Sequence, residues 1–217
     1  MSWSGRHLSG NWDVIWHYTG IHVRLTLIAL AIGAVAAFAL AIYCHRTPRA
    51  YGVVLASTNV AYTVPSLPLF ILIGSLLGVL LSDWPLIIGL AIYTLAILVR
   101  NIVEGLRSVP EHVRLAADAM GYRPFRRLVS VELPLAVPAI IAGLRLASVS
   151  TISILTVGMI IGKGGLGILF NDGFKRNITV EIWAGVIAVM VLALVFDVTL
   201  SVIGRVLTPW SRLRARA

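Results

Sequence analysis

The chain has 217 residues, of which 59% are hydrophobic and 12% charged, with a mean hydropathy of +0.93. An average soluble domain carries about 25% charged residues, so this chain lacks the polar surface needed to face water and belongs in a membrane. Its formal net charge of +9 does not point to nucleic acid, because the basic residues flank apolar runs and form no basic module.

Residues 1–22 hold Trp3, Trp12, Trp16 and Tyr18 among polar residues. They have neither a continuous apolar stretch nor a small-residue cleavage site, and read as an interfacial segment leading into a first span that is kept. Four apolar runs, 23–44, 85–106, 135–158 and 182–204, have the length of ordinary spans. The run 50–82 differs. It carries no charged residue, and as a straight helix it would measure ~50 Å, too long for one crossing and too short for two. At its centre "NVAYTVPSLPLF" sets Pro65 and Pro68 among the polar residues Asn59, Tyr62, Thr63 and Ser66. Proline frees backbone carbonyls that lipid cannot solvate, so one crossing with a broken middle is expected. The four polar residues then either lie along a translocation path or merely satisfy that backbone.

Arginine distribution sets the expected orientation. Arg46 and Arg49, then Arg107, Arg114, Arg123, Arg126 and Arg127, then Arg205, Arg212, Arg214 and Arg216 occupy one side. Arg6, Arg24, Lys163, Lys175 and Arg176 occupy the other. Eleven against five places the first set in the cytoplasm, the N-terminus outside and the C-terminus inside, with five crossings. Residues 205–217 form a basic cytoplasmic tail.

The loop 107–134 is therefore cytoplasmic. Pro110 and Gly121 punctuate a short helix whose Ala116, Ala117, Ala119 and Met120 give it a small, smooth surface. Three arginines follow, and Pro134 sits in the first turn of the next span. Physical chemistry alone leaves two readings: a helix that docks into a cleft of another protein, or an amphipathic connector held to anionic lipid.

The pattern "AA-x-x-x-G", nine residues, Val131, one residue and "LP" resembles the cytoplasmic signature of binding-protein-dependent ABC-transporter permeases. In one respect it departs: Leu115 stands where the family motif opens with glutamate, and Glu111 lies one turn earlier. From residue 23 onward, "GKGGLGILFNDGF", "IWAGVIAVMVLALVFD" and "GRVLTPW" resemble the branch that imports glycine betaine, carnitine and choline. The resemblance implies an all-α membrane bundle of about five transmembrane helices, the type I ABC importer permease fold, over 23–204. It implies a coupling helix that seats on the ATPase, carried by Ala116, Ala117, Asp118, Ala119, Gly121, Arg123, Leu133 and Pro134. The implied partners are two ATP-binding cassette subunits, a second permease chain identical or related to this one, and an extracytoplasmic substrate-binding protein. ATP and Mg would belong to the ATPase, and the setting would be a bacterial inner membrane. A methionine-like or other small-solute importer with the same mechanism is the rival within transport, and a membrane enzyme or a non-transporting scaffold is the rival from another class.

Gly162-Lys163 is no P-loop, since Val157 stands where its first glycine belongs and Gly164 where Ser or Thr belongs. Gly162, Gly164, Gly165 and Gly167 read as a turn on the external face, and the family resemblance adds a role in an outer gate. The single cysteine, Cys44, excludes an internal disulfide, and the five histidines show no ligand-like pairing, so no metal site is expected. The aromatic residues Tyr62, Phe70, Tyr93, Phe170 and Phe174 are too dispersed in sequence to announce a cage for a quaternary amine. A membrane enzyme would show clustered intramembrane acids or histidines, and only Glu104 and Asp197 approach that. Arg145 and Asp197 fall at similar depths in two different spans, ~16 and ~12 Å from the cytoplasmic ends. Each needs water, a headgroup or a partner in lipid, and together they are expected to form a structural ion pair.

Overall fold

The computed structural model describes residues 12–210, and all of their regular elements are helical. The first half of the expected interfacial segment and the tail arginines Arg212, Arg214 and Arg216 lie outside the described residues. Helix α1 spans Trp12–Arg46, α2 Pro48–Thr63, α3 Ser66–Leu77 and α4 Trp84–Arg107. The short α5 covers Glu111–Ala119 and α6 Pro124–Arg127, followed by a π-helical turn Leu128–Glu132. Helix α7, Leu133–Leu155, runs into a 3-10 turn, and α8, Gly167–Lys175, and α9, Thr179–Leu207, close the chain.

Helix α4 is the centre of the bundle, with α1 against one side and α7 against the other. The α1 seam is made of small residues every fourth position: Ala29, Gly33, Ala37 and Ala41, all buried. A Cβ on Gly33 would stand 2.6 Å from the Thr94 side chain and 2.7 Å from the Ala91 carbonyl oxygen. Such stripes let two helices approach at backbone distance, where dispersion and close packing replace the hydrophobic force that lipid does not supply. Thr94 in turn shares a hydrogen bond of 3.1 Å with Thr151 of α7.

The 35 residues of α1 extend ~52 Å, more than the hydrocarbon thickness of about 30 Å. Arg24 pairs with Asp83, just before α4, at 2.7 Å. Residues beyond 24 run parallel to α4, since Gly33 meets Ala91 and Thr94 and Cys44 packs near Leu106, and the turns before residue 24 project past the start of α4. Residues 12–22, expected as an interfacial segment, are helical and continuous with the first span. Ile15, Tyr18 and Val23 pack against Leu166, Leu169 and residues of α9, while Trp12 and Trp16 remain exposed. The helical spacing of those apolar residues gives the segment a protein surface to bury.

The run 50–82 breaks where the prolines stand. Val64 and Pro65 are extended, and α2 and α3 meet at a bend of 98°. At one end Tyr51 lies 4.0 Å beneath the Arg107 guanidinium; at the other, Asp83 holds Arg24 and, at 3.2 Å, Lys163. The bent pair thus covers the length of α4, and the count of crossings is five when it is taken as one.

The α1–α4 seam predicts a sharp contrast between two glycines of one helix. Gly33→Ala should lower the melting temperature of the purified protein, as overpacking by about 1–3 kcal/mol requires. Gly20→Ala, with nothing within 4 Å of the new methyl, should leave it unchanged. Equal melting temperatures for the two variants would contradict the close seam.

Candidate coupling site and translocation elements

Helix α5 starts after the extended Pro110 with Glu111 in its first turn, where an acid suits the helix dipole. It ends in a Schellman turn. Gly121, at φ +78°, donates to the Asp118 carbonyl at 2.9 Å, and Tyr122 donates to Ala117 at 3.1 Å. Only glycine adopts that backbone freely, which explains its place in the pattern. Ala117 turns inward and is buried, whereas Leu115, Ala116, Asp118, Ala119, Met120, Gly121 and Arg123 are exposed. The helix so presents a small apolar surface on its outer side. Leu133 and Pro134 are half-buried and lie apart from that surface.

They belong to a different device. The helix does not begin at Leu133; helical backbone runs from Pro124 through α7, and a π turn absorbs the proline. Leu133 N–H reaches back five residues to the Leu128 carbonyl. That turn carries Glu132 into the core with no exposed surface. Arg127 Nε donates to Glu132 Oε1 at 2.8 Å, while Arg127 Nη1 lies 2.6 Å from both carboxylate oxygens of Asp118 on α5. From the last turn of α1, His45 Nε2 comes within 2.8 Å of Glu132 Oε2, without hydrogen-bond alignment. Three elements meet at one buried carboxylate.

At the broken crossing, Asn59, Tyr62 and Thr63 are exposed and Ser66 is half-buried. Thr63 Oγ1 donates back to Val60 at 2.7 Å, inside its own helix. The carbonyl freed by the break, that of Val64, is satisfied from α4 by the Tyr93 hydroxyl at 2.7 Å. Tyr62 stacks edge-on to Tyr93 with ring centroids 5.6 Å apart.

The glycine-rich segment is packed too tightly for side chains. Gly162 and Gly165 have φ of +75° and +52°, and a Cβ on Gly164 or Gly167 would meet Met159 N at 2.3 Å or Thr156 O at 2.4 Å. His22, fully buried on α1, clasps the turn: its Nδ1 accepts from Leu166 N–H at 3.3 Å, and its Nε2 lies 3.1 Å from the Ile152 carbonyl. These partners assign the proton to Nε2. Arg145 and Asp197 meet through two parallel hydrogen bonds of 2.8 Å, joining α7 to α9. Among the described residues, no group of three metal-ligating side chains converges.

Sequence reasoning missed Tyr93, His22, His45 and Glu132. Their partners lie 29, 144 and 130 positions away for Tyr93 and His22, beyond any local pattern. Glu132 stands inside "VELP" and its polarity within an apolar approach was the available signal.

The family of binding-protein-dependent transport system inner membrane components matches residues 23–213. This chain belongs to that family. The choline transport system permease protein OpuBB of Bacillus subtilis is 32% identical over 202 residues, 93% of this chain and 92% of that one. The glycine betaine/carnitine/choline permease OpuCD of the same organism is 35% identical over 87% of this chain and 82% of its own length. The osmoprotectant import permease OsmW of Salmonella typhimurium is 32% identical over 87% and 89%. A solved inward-facing MetNI methionine ABC transporter chain superposes with a TM-score of 0.74 at 19% identity, covering 96% of this chain and 100% of that one. The permease therefore has the type I ABC importer fold and is a multi-pass membrane protein.

The Arg145–Asp197 geometry yields a prediction for this permease. Asp197→Ala should reduce folded yield more than the double change with Arg145→Ala, because the single change strands a cation in lipid. Yield after detergent extraction reads this directly, and additive losses in the double variant would contradict a structural pair.

Proposed function

We propose that this permease forms the membrane path of an ATP-driven importer for quaternary-amine osmoprotectants, such as glycine betaine, carnitine and choline. The observation that carries the coupling half of this reading is α5: an exposed helix with a small apolar face, closed by a Schellman turn, outside the bundle yet tied to it by ions. Leu115, Ala116, Ala119 and Met120 offer a surface that suits insertion into a cleft of an ATPase. The solute half is supported by the relatives, whose names carry choline, glycine betaine, carnitine or osmoprotectant import. The likeness to the methionine transporter supports the fold and no solute.

In this reading two ATPase subunits bind ATP with Mg, close, and move the α5 helices of two permease chains. The pathway then opens to the outside, where a binding protein delivers solute. The polar residues at the α2–α3 break, Asn59, Tyr62, Thr63 and Ser66, line the path between the two chains. The glycine turn, clasped by His22 and braced by the Lys163–Asp83–Arg24 cluster, forms part of the outer gate. The arginine-rich end carrying Arg107 and α5 faces the cytoplasm, which sets the N-terminus outside and the C-terminus inside.

Reconstitution in liposomes with its ATPase and binding protein tests the whole reading. Glycine betaine or choline should stimulate ATP hydrolysis and enter the vesicles; stimulation by methionine alone would contradict the solute assignment. Gly121→Trp should leave the chain inserted but weaken ATPase co-purification and reduce uptake at least ~10-fold, since a bulky residue strains the left-handed turn. Full uptake by that variant would contradict the coupling role of α5.

A further inference from the structure

Among the described residues Glu132 is the only carboxylate with no exposure at all. A buried charge is costly unless it is paired, and an apolar residue would fill the same helical position without that cost. What the charge provides is the attitude of Arg127. One edge of the guanidinium is held by Glu132 and the other reaches Asp118 on α5. Helix α5 has little else to fix it. Ala117 is its one buried residue, and Arg114 ties it only to the Val109 carbonyl of its own connecting loop. A push on α5 without the fork would be absorbed by bending at the Gly121 turn. With the fork it reaches α7 through the π turn and α1 through His45.

We propose that Glu132, acting through Arg127, is the positioning residue that locks α5 to α1 and α7, so that displacement of α5 is delivered to the spans. This rests on the reading of α5 as the docking helix. Two variants separate the lock from simple core stability. Glu132→Gln keeps the shape and removes the charge. Arg127→Lys keeps a cation for Glu132, but a single ammonium lacks the planar fork that reaches two carboxylates at once.

Amide hydrogen exchange of the chain in nanodiscs reads the lock without any partner. Both variants should accelerate exchange across 111–121 by at least ~10-fold while 84–107 stays protected, the mark of local opening. In the reconstituted complex, with glycine betaine as probe, the ATPase should still co-purify and the ATP hydrolysed per solute imported should rise several-fold. A purely structural role would instead lower protection of 84–107 and leave that ratio unchanged. Wild-type exchange at 111–121 in Arg127→Lys would overturn the proposal, as would an unchanged ratio in both variants. If the ATPase failed to co-purify even with the unaltered chain, the docking reading would fall, and the exchange data would still decide whether the fork holds α5.

Discussion

The stripe Ala29, Gly33, Ala37 and Ala41 brings α1 against α4 at backbone distance, and both polar ends of the bundle follow from that seam. Once the two helices lie parallel with Arg24 beside Asp83, the last turn of α1 reaches the π turn and its first turns reach the glycine loop. One helix therefore carries His22 at the glycine loop and His45 beside Glu132. The two ends of the molecule are joined by a single packed rod. Packed helices shift between discrete arrangements more readily than they deform, which suits a transporter that alternates between two states.

The membrane constrains the polar groups more strictly than water would. Every backbone group freed by a break must find a partner, and the partners here come from neighbouring helices: the Tyr93 hydroxyl donates to the Val64 carbonyl, and the His22 ring accepts from the Leu166 N–H at the glycine turn. Charges obey the same rule. Arg145 and Asp197 meet each other, and Glu132 meets Arg127. None of these contacts requires a metal or a disulfide, and their geometry accounts for why isolated polar residues can persist in so apolar a chain.

The spans were legible because each is a long apolar run bounded by arginine, glycine or proline, and the break at Pro65 was legible because proline cannot donate. The position of Arg145 opposite Asp197 could be reached by counting residues from the ends of two spans. Other features had no local signal. The extension of α1 to Trp12 was hidden because its apolar residues alternate with polar ones, and only α9 and the Leu166 turn show what they cover. The π turn was hidden because Leu133-Pro134 also fits an ordinary helix start. The contact of His45 with Glu132 spans the whole of α2 to α6, and no pattern of spacing predicts it.

In the proposed coupling, α5 sits on an ATPase and moves the spans through a charged lock. Photo-crosslinking from Met120, exposed at the end of α5, tests that claim most directly in intact membranes. The account predicts an adduct with an ATP-binding cassette subunit, identified by mass spectrometry, whose yield changes when ATP is trapped. Adducts with lipid alone, unaffected by nucleotide, would contradict it.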